Sequence, residues 1–144
     1  MDKSIGFKGV DLGELSALHG GDINGRLGIE VTGVGPDWLE GRMPVDERTR
    51  QPAGVLHGGA SVVLAETLGS AAAGHTVDPE KFFCVGQDVN ANHLGAVREG
   101  WVTGRASPFH LGRTSQVWGI EIRDGQGRLA CIARLTVAVV PARG

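Results

Sequence analysis

Apolar positions divide the chain into two kinds of segment. Near the C-terminus Leu129, Cys131, Ala133, Leu135, Val137 and Val139 alternate with Arg128, Arg134 and Thr136, the period of two of a strand with one buried face. Strands are expected near 26–34, 37–45, 82–91, 98–107, 114–123 and 128–140, with Gly35-Pro36 and the hairpin signal Asp124-Gly125-Gln126-Gly127 among the breaks between them. Residues 57–75 follow a different rule. Ala60, Val62, Val63, Leu64, Ala65, Leu68, Ala71, Ala72 and Ala73 fall on every side of a helical wheel. A helix that is apolar all round belongs inside other structure.

A shorter amphipathic helix is expected over 11–19, where Leu12, Leu15 and Leu18 share a face and Asp11 can cap. Residues 1–22 then form an N-terminal helical segment of one domain spanning 1–144. The order is helix, two strands, buried helix, four strands. Short connections favour antiparallel pairing, so the expected class is α+β, one curved antiparallel sheet wrapped around a central helix.

Composition narrows the function classes. The 14 basic and 16 acidic residues give a formal charge of -2 with no basic patch, which argues against nucleic acid as a partner. No stretch approaches the roughly 18 apolar residues of a membrane span, and Met1 to Gly6 lacks the order of a secretory signal. A cytoplasmic location is the expectation. Cys84 and Cys131 lie in apolar runs and read as small core residues.

Glu66 is the misfit. It stands in the apolar helix between Ala65 and Thr67, with Leu64 and Leu68 beyond. Burying an unpaired carboxylate costs several kcal/mol or forces it neutral, and folding alone gives no reason to accept that. Either the helix is only partly buried and Glu66 faces water, or Glu66 is a catalytic acid, base or nucleophile in an apolar wall.

At the start of the helix stands the entry segment Gln51-Pro52-Ala53-Gly54-Val55-Leu56-His57-Gly58-Gly59-Ala60. Glycines here leave N–H groups uncovered at the positive helix end, suited to an anion or a polarised carbonyl oxygen. A plain glycine-rich turn, with His57 as a structural histidine, is the other reading. Glu66 lies eight residues beyond Gly58, about 12 Å at 1.5 Å per residue. That is far beyond contact distance to one reacting carbonyl. Both groups can serve one substrate only if they come from two chains related by a two-fold axis.

At these residues the sequence resembles the hotdog-fold thioesterases, in the branch of bacterial hydroxyaroyl-CoA and 1,4-dihydroxy-2-naphthoyl-CoA thioesterases. The likeness runs from about Leu39 to Val140 and is densest in Met43 to Asp46, Gln51 to Ser70, Asn90 to His93, Arg98 to Gly100, His110 to Arg113 and Gln116 to Ile122. The resemblance implies Glu66 as nucleophile or general base and Gly58 N–H as the group polarising the thioester carbonyl. It implies that Gln51 and His57 approach the thioester from the subunit opposite Glu66, with Ser70 orienting water or the carboxylate. Gly86, His93, Leu94, Gly95, Ala96, His110, Leu111, Gly112, Arg113, Thr114 and Ser115 would line the acyl and coenzyme A channel. The family forms dimers of dimers and uses neither metal nor cofactor beyond the coenzyme A of its substrate. Gly95 and Ala96 depart from the family, which often has a basic residue in that loop, and Arg113 is a candidate to supply the charge nearby.

The expected activity is hydrolysis of a small aromatic acyl-CoA to the free acid and coenzyme A. Arg98, Arg113, Arg128 and Arg134 are candidates for the coenzyme A phosphates, each weighed against an ordinary surface role. A hotdog enoyl-CoA hydratase using Asp88 and His93 is disfavoured, because five residues along a strand put them on opposite faces. A non-catalytic acyl-CoA binding module would keep the channel and not need Glu66. His57, His93, His110 and Cys84 lack the compact spacing of a metal site.

Overall fold

The computed structural model describes residues 21–143, so the helix expected over 11–19 lies outside the described residues. The first element is α1 (Ile23–Arg26), a single helical turn that overlaps the strand expected over 26–34 only at Arg26. Asp22 caps it: Oδ1 accepts from Asn24 N–H at 3.0 Å and Gly25 N–H at 3.3 Å. The strand starts later, as β1 (Glu30–Val34), and pairs with β2 (Leu39–Pro44).

The long helix is α2 (Gly58–Gly74). It is followed by β3 (Phe82–His93), β4 (Trp101–Leu111), β5 (Ser115–Arg123) and β6 (Leu129–Pro141). All pairings are antiparallel, in the order β1-β2-β4-β5-β6-β3. Strand β4 continues past Pro108 to Leu111, beyond the expected end at 107, because a bulge between Pro108 and His110 absorbs the proline. The β5–β6 hairpin forms as expected. Gly127 takes a φ of 81°, and Asp124 accepts from the Gln126 and Arg128 N–H groups, both at 2.9 Å.

Helix α2 packs on the concave face of this sheet. Leu64, Ala65, Leu68 and Ala72 are fully buried with Trp118, Ile120, Leu135 and Val137. Small residues set how closely the layers approach. A Cβ added at Gly41 would lie 2.7 Å from Leu68 Cδ2, and one at Gly69 would lie 2.6 Å from Leu135 Cδ2. Each leucine therefore needs the opposing glycine. At the far end of α2, Gln116 Nε2 donates to Thr76 Oγ1 at 2.6 Å and Trp118 Nε1 donates to Gln116 Oε1 at 2.8 Å, satisfying the buried polar groups.

The helix is not covered equally on all sides by its own chain. Val62, Val63, Glu66, Thr67, Ser70 and Ala71 are only half-buried. Beside this open flank runs β3, which pairs with β6 on one side only and ends the sheet. Its exposed residues include Phe82, Phe83 and Val85, an apolar edge of the kind that natural proteins cover.

Candidate active site

The segment before α2 is a small loop closed on itself. Thr49 Oγ1 donates to Pro44 O at 2.7 Å, His57 N–H to Thr49 O at 2.8 Å, and Leu56 N–H to Val97 O at 2.7 Å. Gln51 folds back so that Oε1 accepts from Ala53 N–H. The amide oxygen is thereby occupied, and Nε2 with its two donors is left for other partners.

His57 is the N-cap of α2, and its Nδ1 accepts from Gly59 N–H at 2.8 Å. With Nδ1 as acceptor, the neutral ring carries its proton on Nε2. The structural reading of His57 is therefore realised, and it leaves one N–H donor over. Ala60 and Ser61 N–H groups both donate to His57 O. Among the described residues Gly58 N–H has no acceptor. His93 packs against Gly58: a Cβ there would lie 2.7 Å from His93 Nε2. Only glycine leaves this N–H accessible beside the imidazole.

Around Gly58 lies an open pocket of about 370 Å³. It brings together Gln51, Gly58, His93, Leu94, Gly95 and Ala96, six of the residues expected from sequence. It also includes Val55, Leu56, Ser61 and Ala130, which sequence reasoning did not single out. Ser61 had a signal, a hydroxyl three residues after Gly58 and so on its helix face, but its burial shows only in the fold.

Glu66 stands elsewhere. It is half-buried and has no hydrogen-bond partner among the described residues. Its carboxylate lies over Gly86, where an added Cβ would be 2.5 Å from Oε2. Ser70 follows one turn later on the same flank. The His110–Ser115 turn belongs to this end of the sheet. It closes through Gly112 N–H to Ser115 O at 2.9 Å, and Ser115 and Val85 pair with Ala138 from opposite sides.

The expected site residues thus form two sets. His93 pairs with Cys131 at one end of β6, whereas Val85 and Ser115 pair with Ala138 near the other. Seven residues separate Cys131 from Ala138, about 23 Å along a strand. One chain carries both sets and does not bring them together. One correction follows: Arg113 is not close to Gly95 and Ala96 of its own chain, because the β4–β5 turn is at the opposite end of the sheet.

Other candidate groups resolve similarly. The bulge in β3 lies between Gly86 and Asp88 and leaves parity intact from Asp88 to His93, so those side chains leave opposite faces. Arg128 pairs with Asp124 at 3.0 Å and Arg134 lies 5.5 Å over Phe109. Burial pushes the Cys84 and Cys131 thiols up, which makes them poor nucleophiles. Among the described residues no three His, Cys, Asp or Glu side chains gather as metal ligands. No helix there is long and apolar enough to cross a membrane.

The described residues thus form a helix bearing one carboxylate, laid on a curved antiparallel sheet with an uncovered glycine N–H at its start, the hotdog arrangement. The thioesterase superfamily profile matches residues 53–131. The 1,4-dihydroxy-2-naphthoyl-CoA hydrolase of Escherichia coli is 50% identical over 91% of this chain and 96% of its own. Among solved structures, a thioesterase from Haemophilus influenzae superposes with a TM-score of 0.89 at 50% identity, covering 91% of both chains. A mutant thioesterase from Pseudomonas aeruginosa gives 0.94 at 49% identity, covering 96% of this chain and all of that one. The chain belongs to the thioesterase superfamily, and it is a thioester hydrolase.

Proposed function

We propose that this enzyme hydrolyses small aromatic acyl-CoA thioesters to the acid and coenzyme A, at sites each shared between two copies of the chain. The observation that carries this reading is the division of site residues into a Gly58 set and a Glu66 set, both bordering the unpaired edge strand β3. Antiparallel pairing of β3 with the β3 of a second copy continues the sheet and covers the apolar edge. It lays the two α2 helices side by side in opposite directions, so that Glu66 of one copy faces Gly58 of the other.

In that arrangement the thioester carbonyl oxygen accepts from Gly58 N–H, a fixed donor at the positive end of a helix. Glu66 attacks the carbonyl carbon, expelling the coenzyme A thiolate and forming an anhydride that water then hydrolyses to the free acid, or it takes a proton from the water that attacks. Gln51 Nε2 and the protonated His57 Nε2 are donors beside the departing sulfur. The thiolate is a weak base, so no strong general acid is needed. Ser70 orients the carboxylate or the water. The Gly86, His93–Ala96 and His110–Ser115 segments line the channel, and the small side chains around Glu66 leave space for a ring. Arg113, brought in by the second copy, then supplies charge toward Gly95 and Ala96. Pairs of such dimers assemble as dimers of dimers in the cytoplasm. The reaction uses no metal and no cofactor other than the coenzyme A of the substrate.

Release of free thiol from benzoyl-, hydroxybenzoyl-, phenylacetyl- and palmitoyl-CoA tests the substrate class. Aromatic thioesters should turn over faster. Faster turnover of palmitoyl-CoA would overturn the aromatic assignment and leave the thioesterase activity standing.

A further inference from the structure

The described residues bury three polar side chains, those of Thr49, Ser61 and Gln116. Two are explained by the fold. Thr49 donates to Pro44 O, and Gln116 joins Thr76 to Trp118. Ser61 is 3% exposed and its hydroxyl makes no hydrogen bond among the described residues. A hydroxyl on so buried a residue with no partner in the protein calls for a reason.

The position of Ser61 supplies one. No enclosed polar side-chain atom among the described residues lacks a partner, so Ser61 Oγ must reach an opening. That opening is the pocket around Gly58, which Ser61 lines. Ser61 stands three residues after Gly58 on the same helix face, and helical side chains lean toward the N-terminus. Its hydroxyl and the Gly58 N–H therefore converge on the same space. An oxygen bound about 3 Å from that N–H is within reach of Oγ.

We propose that Ser61 is a further catalytic residue, its hydroxyl donating a second hydrogen bond to the thioester carbonyl oxygen held at Gly58 N–H. The inference rests on the thioesterase site described above. The oxygen gains charge as the tetrahedral intermediate forms, so the bond strengthens toward the transition state and acts on kcat more than on KM.

Ser61→Ala tests this, since alanine fits the space and removes only the hydroxyl. For benzoyl-CoA, kcat should fall by about 100- to 1,000-fold with KM nearly unchanged. Tm should stay level, because the hydroxyl makes no hydrogen bond among the described residues. The affinity of an S-alkyl coenzyme A thioether, which lacks the carbonyl, should not change. A variant with wild-type kcat would overturn the inference. So would weaker thioether binding, which would move the contact to the pantetheine arm, or an acyl group trapped on Ser61 of the wild type, which would make it a nucleophile. A wild-type protein releasing no thiol from any of these thioesters would instead remove the site reading, and this inference with it.

Discussion

Glu66 Oε2 occupies the space that any side chain at position 86 would need, 2.5 Å from where a Cβ on Gly86 would lie. Gly86 sits on the edge strand and Glu66 on the open flank of the helix, so the glycine decides where the carboxylate rests. The obstructing atom is the tip of a flexible side chain, and the next contacts beyond the Glu66 carboxyl begin at an ordinary 3.6 Å from Leu135 Cδ1. Gly86→Ala should therefore fold with little change in Tm while the carboxylate swings aside. Displacement of about 1 Å at a reacting group can lower turnover about 100-fold. Kinetics and thermal melts on one preparation check this; full activity would mean that Glu66 works from another position.

Glu66→Gln removes the charge and keeps the shape. The half-buried carboxylate has no partner among the described residues, so no hydrogen bond or ion pair is lost. Tm should hold or rise, since pairing of two chains over β3 would bury this group further. Turnover should fall by about 100- to 10,000-fold, the range for losing a general base. A folded variant with near-normal turnover would remove Glu66 from the mechanism.

The hairpin at Asp124 predicts a pH effect unrelated to catalysis. Its carboxyl is held below the usual range, first by the Arg128 N–H, with the Gln126 N–H and the Arg128 side chain adding to it. A depressed folded-state pKa contributes stability that is present above the unfolded value of about 3.9 and is lost as pH falls through the folded value. Wild type should therefore lose Tm relative to Asp124→Asn as pH falls below about 4. Parallel melting curves across that window would contradict it.

Much of this was legible in the sequence, for local reasons. The helix Gly58–Gly74, the strands around it and the misfit at Glu66 follow from periodicity, and the gap between Gly58 and Glu66 follows from the helical rise alone. Other features depend on tertiary context. The capped turn α1 after Asp22 precedes a strand that starts four residues later than expected, and a bulge carried β4 past Pro108. The apolar circumference of α2 reads the same whether its neighbours come from this chain or another, so the sequence left open whether the flank at Val62, Glu66 and Ser70 is covered. The distance between the His110–Ser115 turn and the Gly95 loop depends on strand order, which local pattern does not encode. Ser61 looked like one small residue among many until the fold placed it in the lining of the Gly58 pocket.

The two-chain site is tested most directly by mixing two inactive variants, Glu66→Ala and Gly58→Pro. Proline removes the N–H at a first helical position, where its backbone is commonly accommodated; its ring needs the exposed His93 imidazole to move aside, and circular dichroism and sizing establish that both variants fold and assemble. Each alone should be nearly inactive. When subunits exchange, one site of a mixed dimer receives both lesions and the other receives neither. Random pairing leaves about a quarter of all sites intact, so activity should rise toward that fraction of wild type. If subunits demonstrably exchange and no activity returns, Gly58 and Glu66 do not meet across an interface, and the shared site is wrong.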